Sequence, residues 1–124
     1  MSQDIISDAL NKIMNAKRSG KEEVVVTRFS KVLVKVMEIA KEHNYIKEFK
    51  LDGRNMIISI GELHECKTIK PRYNVKKDGI FKYIRRYLPA KDMGIIIIST
   101  NKGMMTHYQA IENKIGGALI AYFF

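Results

Sequence analysis

Cysteine is almost missing from this 124-residue chain. Cys66 stands alone, so no internal disulfide can form and the chain suits a reducing compartment. Histidine is also scarce: His43, His64 and His107 lie far apart with no i,i+4 pair, and one cysteine cannot supply CxxC spacing, which argues against a structural zinc site. There is no Walker A loop and no dinucleotide fingerprint, and Gly103 alone makes no nucleotide cradle. Met1 to Leu10 carries Asp4 and Asp8 and no long apolar core, so neither a signal peptide nor a transmembrane helix is expected there. The chain is read as soluble and intracellular, with no membrane partner. It shows no internal repeat and no low-complexity tail.

Acidic residues are the other shortage. Against 13 Asp plus Glu stand 22 Lys plus Arg, and the formal charge of +9 points to a polyanionic partner, because neutralising phosphates releases condensed counterions. The imbalance is local. Residues 1–62 carry 11 basic and 9 acidic side chains, net +2, whereas residues 63–124 carry 11 and 4, net +7. Charge serving solubility alone would have no reason to divide this way, so the C-terminal half is the expected polyanion face.

Hydrophobic spacing gives the elements. Ile5, Ile6, Ala9, Leu10, Ile13 and Met14 predict an amphipathic helix from about Asp4 to Lys17, stopped by Gly20. Glu22 to Arg28, with Val24, Val25 and Val26, predicts a strand. Ser30 is a plausible N-cap for a helix over Lys31 to His43, whose core stripe is Val32, Leu33, Val36, Met37 and Ala40. Tyr45 to Leu51 and Asn55 to Ile60 flank the turn Asp52-Gly53-Arg54 and predict a hairpin. Beyond Gly61 the chain predicts a short helix over Ile80 to Leu88, a central strand Ile95 to Thr100, a short helix Thr106 to Lys114 and a last strand Ala118 to Phe124. The expected fold class is α+β in two small lobes: α-β-α-β-β over residues 1–62, and a mainly-β lobe with short helices over residues 63–124.

Ser99-Thr100-Asn101-Lys102-Gly103-Met104-Met105-Thr106 sets hydroxyls, an amide and an ammonium at the end of a buried strand, where Gly103 lets the backbone bend closely. Short hydroxyl side chains suit ribose 2′-OH groups and base edges in the shallow RNA minor groove. The plainer reading is a strand-to-helix loop with Thr106 as N-cap, and the two can coexist. Lys67, Lys70, Arg72, Tyr73, Lys76 and Lys77 surround one aromatic ring with cations; Tyr73 is either a stacking platform or a core ring. Arg85 and Arg86 read as a solvated helix face. In the first lobe, Lys12 and Lys17 can reach phosphates, Asn15 reads as structural, and Ser30-Lys31 is either a plain N-cap or a phosphate site. Glu62, His64, Glu65 and Cys66 form the one dense constellation of catalytic types, and strand alternation would put Glu62, His64 and Cys66 on one face. That is thin support for a small nuclease. The chain is read as a non-enzyme, with no cofactor, no metal and no small-molecule substrate.

Ser99 to Thr106 and Gly116-Gly117, taken with Asp8-Ala9-Leu10, Asn15-Ala16 and Ser30-Lys31, closely resemble the universal small-subunit ribosomal protein family called S-eight in bacteria. The resemblance covers nearly the whole chain. It implies a two-lobed structural protein of the cytoplasmic small ribosomal subunit that binds the central domain of small-subunit rRNA, supports assembly and touches neighbouring ribosomal proteins. It assigns the principal RNA contact to Ser99, Thr100, Asn101, Lys102, Gly103, Met105 and Thr106, with Arg72 and Tyr73 in a segment that carries an RNA-facing aromatic. Asn101 stands where small residues are common, and Ala118 stands where bacterial members place a Glu, so no acidic contact carries over to that position. The chain resembles the eukaryotic or archaeal form more than the bacterial one, and Pro71-Arg72-Tyr73, Leu88-Pro89 and Tyr122-Phe123-Phe124 bring it nearer the eukaryotic cytosolic form. The alternative reading is a regulatory protein that recognises a structured mRNA with the same residues.

Overall fold

Apolar residues at helical spacing build the first helix, α1, Ile5–Arg18, which buries Ile6, Ala9, Leu10, Ile13, Met14 and Ala16. It ends where the Gly20 N–H donates to the Lys17 carbonyl and the Lys21 N–H to the Ala16 carbonyl. The computed structural model describes residues 5–70, 73–90 and 92–124. They group into two compact units that divide between Cys66 and Lys67.

In the first unit α1 is followed by strand β1, Glu23–Val26, helix α2, Lys31–Glu42, and strands β2, Ile46–Asp52, and β3, Asn55–Ile60. The three strands form an antiparallel sheet in the order β1-β3-β2. Ser30 caps α2, its Oγ accepting from the Leu33 N–H at 3.2 Å. Two local expectations change. Val32 is 41% exposed although Ile39, seven residues on and on the same side of the helix, is buried: Val32 lies in the first turn of α2, Ile39 in its second half. Asp52 pairs with Asn55, so the hairpin turn holds two residues, Gly53 and Arg54, and not three. Gly61 to Leu63 stays tied to this unit: the Gly61 N–H donates to the Tyr45 carbonyl and the Glu62 N–H to the Asn44 carbonyl.

The second unit holds strands β4, Cys66–Thr68, and β5, Asn74–Val75, a 3-10 turn at Lys77–Gly79, helix α3, Ile80–Tyr87, strands β6, Ile95–Thr100, and β7, Gly103–Thr106, helix α4, His107–Glu112, and strand β8, Gly117–Phe123. The sheet runs β4-β8-β6-β7, with β5 also paired to β8. Strand β6 is interior, and Ile95 to Ile98 are all buried, which is why the sequence there is a continuous isoleucine run and not an alternation. One core packs Ile69, Val75, Ile80, Ile84, Leu88, Ile96, Ile98, Ala110, Leu119 and Tyr122. A bulge makes that core possible. Ile97 pairs with Ala121 and Ile98 with Leu119, leaving Ile120 as an extra residue in β8, so that Leu119 and Tyr122 reach the same core despite their odd spacing.

Cys66 is buried, and its Sγ lies 3.8 Å from the Leu10 carbonyl as donor. Glu62 and His64 are exposed, so the expected shared face of Glu62, His64 and Cys66 does not form. Burial pushes the Cys66 thiol up from the ordinary 9.0 to about 12, Glu65 adds to the rise, and Arg18 opposes it. An unfolded chain would lose this proton near 9.0 while the folded one keeps it. The resulting stabilisation is complete below that pH and is lost as pH rises toward about 12. Maleimide at pH 8 should therefore label the native protein only as fast as it opens, and Cys66→Ala should flatten the alkaline decline of the urea midpoint. Rapid stoichiometric labelling of the folded protein would contradict the burial.

Candidate nucleic-acid interface

The chain turns tightly after the isoleucine strand. The residues between strand Ile95–Thr100 and Thr106 were expected as a strand-to-helix loop; instead Thr100 pairs with Gly103, and β6 and β7 form a hairpin with Asn101 and Lys102 at its tip. The segment Gly-Met-Met-Thr has little intrinsic strand preference, so pairing with β6 makes it a strand. Gly103 closes the turn at φ +106°, a conformation that L side chains rarely adopt, although a Cβ there would meet nothing within 4 Å. The glycine is needed for its backbone, and it leaves the tip open to close approach.

The two hydroxyls at the hairpin base do different things. The Thr100 hydroxyl donates to the Gly103 carbonyl at 2.7 Å and accepts from the Lys102 N–H at 3.1 Å, which pins the turn and leaves one lone pair for any ligand. Ser99 is half-buried one residue earlier, on the opposite face of β6. Asn101, Lys102 and Gly103 are exposed.

At the far end of β7 the structure moves two expected contacts inward. Thr106 is only 2% exposed; its Oγ1 accepts from the Gln109 N–H while Gln109 Oε1 accepts from the Thr106 N–H, a reciprocal capping box at the start of α4. Met105 is partly buried against the core. Both anchor the hairpin from behind. His107 continues the ladder after the backbone has turned into α4: its Nδ1 accepts from the Ile96 N–H at 3.0 Å, so the ring's proton sits on Nε2. The Tyr108 hydroxyl donates to the Gly94 carbonyl at 3.2 Å. Its phenol is raised above the ordinary range by burial first and Asp92 second.

The diglycine joins the hairpin to the basic segment. A Cβ on Gly117 would run into the Ser99 carbonyl, and one on Gly116 into the Val75 carbonyl and the Lys76 backbone. Register then fixes a transverse row of Met104, Ser99, Ala118 and Asn74 across β7, β6, β8 and β5. Three strand spacings, about 14 Å, separate the outer two. The end of the sheet is thus a strip with only small side chains, Ser99 and Ala118, at its middle, with Lys102 toward one side and the exposed Lys76 and Lys77 following β5 on the other. Lys76 was legible as part of a basic cluster, but its place at the same end of the sheet as the hairpin was not; the paired glycines were the available signal.

The remaining expected residues lie elsewhere. Tyr73 is half-buried against the core, and Arg72 lies outside the described residues. Lys12, Lys17, Ser30 and Lys31 belong to the first unit, where Lys12 and Lys31 are exposed, Lys17 is half-exposed and Ser30 serves as the α2 N-cap. Asn15 is exposed, and its backbone carbonyl, not its side chain, accepts from the Ser19 N–H. Among the described residues no group of three His, Cys, Asp or Glu could hold a metal, and no helix is long and apolar enough to cross a membrane.

Two substitutions test the scaffold directly. Gly117→Ala should cost about 1 to 3 kcal/mol in urea unfolding, because a methyl group has to displace the β6 backbone. Thr100→Val should cost about 1 kcal/mol, and Thr100→Ser far less, because serine keeps both hydrogen bonds. Wild-type stability in Gly117→Ala would remove the close-approach argument.

The family model described as Ribosomal protein S8 matches residues 4–124. Two archaeal proteins, each named Small ribosomal subunit protein uS8, from Thermoplasma acidophilum and Picrophilus torridus, are each 39% identical to this chain, with 98% of both chains covered. Small ribosomal subunit protein uS8A of Schizosaccharomyces pombe is 35% identical over the same share. With the family match and the relatives both spanning the hairpin, the diglycine and the first unit alike, the chain belongs to the ribosomal protein S8 family.

Proposed function

We infer that this chain is a structural protein of the small ribosomal subunit in the cytoplasm, binding the central domain of its rRNA and supporting subunit assembly and translation. The observation that carries this reading is the family match over residues 4–124, with the hydroxyl hairpin and the diglycine both in place. Its work is to bind and fold RNA. Neither the fold nor the site favours a structured mRNA over rRNA as the target.

The strip at the end of the second sheet is the principal contact in this reading. Ser99 and Asn101 supply short polar groups for ribose hydroxyls and base edges. Gly103 allows the RNA backbone to come close, Gly116 and Gly117 hold the strands beneath the strip together, and Lys102 and Lys76 take phosphates. Phosphate contacts set affinity, and the hydroxyl and amide contacts set register. Thr100, Met105 and Thr106 hold the hairpin in shape; the one spare lone pair of Thr100 Oγ1 suits a ribose 2′-OH donor. In the first unit Lys12, Lys17 and Lys31 add phosphate contacts, and Ser30 keeps its hydroxyl proton available to an anion while capping α2. Arg72 is a further phosphate contact, and Tyr73 contributes as a backing ring. The two lobes act as separate RNA-binding surfaces, and neighbouring ribosomal proteins cover other parts of the molecule.

Binding of the purified chain to a central-domain rRNA fragment tests the reading. Ser99→Ala should weaken specific binding by about 1 kcal/mol and leave nonspecific binding unchanged. Lys102→Ala should weaken both and lower the salt slope by about one. Specific affinity unchanged by both substitutions together would remove the hairpin from recognition.

A further inference from the structure

The aromatic residues of the second unit form a series that the hairpin reading does not use. Tyr83 and Tyr87 lie one turn apart on α3, and their rings stack with centroids 6.4 Å apart and planes 10° apart. Tyr73 joins one end at 5.5 Å from Tyr83. At the other end Tyr122 lies 5.4 Å from Tyr87, and Phe124 follows at 6.0 Å. Tyr122 is in the buried core, whereas Tyr73, Tyr83 and Tyr87 pack against it half-buried, so the series runs from the interior to the surface.

Arg86 closes the surface end. Its guanidinium lies 5.7 Å from the Tyr73 ring centroid and 5.5 Å from that of Tyr87, so two rings hold one cation. The side chain was expected to be simply solvated. It is exposed, but it is seated: α3 contains no acidic residue, and among the described residues no carboxylate makes an ion pair with Arg86. Its five N–H donors therefore have no anionic partner among the described residues. A free surface arginine loses rotamer entropy when it binds; one already held by two rings loses less.

We propose that Arg86, seated on Tyr73 and Tyr87, is a second RNA-binding element of this chain, a planar cationic platform on which an unpaired nucleobase stacks. Arg86 is exposed, so a planar ligand can reach the guanidinium beside its two rings, and its N–H groups can meet the phosphate of the same nucleotide. A carboxylate could be met by any exposed lysine of this unit. A flat cation backed by rings selects a flat partner, which makes a base the fitting ligand and an acidic peptide a poor one. The inference rests on the rRNA-binding reading but uses no residue of the hairpin.

The test is binding of the full chain to the central-domain rRNA fragment across a salt series, with thermal unfolding of each variant. Arg86→Lys keeps the charge and loses the plane; it should bind at least about fivefold more weakly with an unchanged salt slope. Arg86→Gln should weaken binding at least as much and lower the slope by about one. In the unsubstituted protein the Arg86 Nε–H resonance should shift when the RNA is added, a readout that no folding defect can imitate. Full affinity in Arg86→Lys would overturn stacking, and an unshifted resonance would overturn the site. Failure of the unsubstituted protein to bind the fragment would instead sink the ribosomal reading itself.

Discussion

The close passage of the β8 backbone against the Ser99 carbonyl is the constraint on which the second unit depends. It exists because Gly117 has no side chain, and it fixes where the isoleucine strand ends and where the hairpin begins. Everything useful at that end of the sheet is then set by register. Ser99 lies beside Ala118, Ala118 beside Asn74, and the basic segment after Val75 is held against the start of β8 because Gly116 lets its backbone in. A side chain at either glycine would loosen the sheet, because its Cβ would meet the neighbouring backbone.

The hydrogen bonds divide the labour within the hairpin. Thr100, Thr106 and His107 are each engaged inside the protein, by the turn, the capping box and the Ile96 N–H. A motif that reads as a row of ligand-binding hydroxyls is therefore in part a self-bracing structure. In the proposed reading its exposed members, Asn101, Lys102 and Gly103, with half-buried Ser99, are the ones left to meet RNA. This is economical for a rigid recognition surface, since positioned groups lose little freedom when the ligand arrives.

Much of this was legible in the sequence, for identifiable reasons. The 3.6-residue stripes of α1 and α2 and the unbroken isoleucines of β6 announced their environments, and the resemblance in Ser99 to Thr106 and Gly116-Gly117 named the family that the comparisons bear out. What stayed hidden was tertiary. Strand β7 has no strand-like composition and forms only because β6 offers it a partner. The bulge at Ile120 shifts Leu119 and Tyr122 onto one core, which no alternation pattern reveals. Val32 shares a helix face with buried Ile39, so its exposure in the first turn of α2 was not legible from the stripe. The aromatic series joins Tyr73, two residues of α3 and the end of β8, segments far apart in the chain, though the four-residue spacing of Tyr83 and Tyr87 was a visible clue.

The measurement closest to the central claim is sedimentation of the tagged protein from its native lysate, followed by sequencing of the RNA crosslinked to it. Comigration with small subunits, with crosslinks in the rRNA central domain that map to the Ser99–Gly103 hairpin, is the expected result. A slowly sedimenting pool crosslinked only to particular messages would contradict the account.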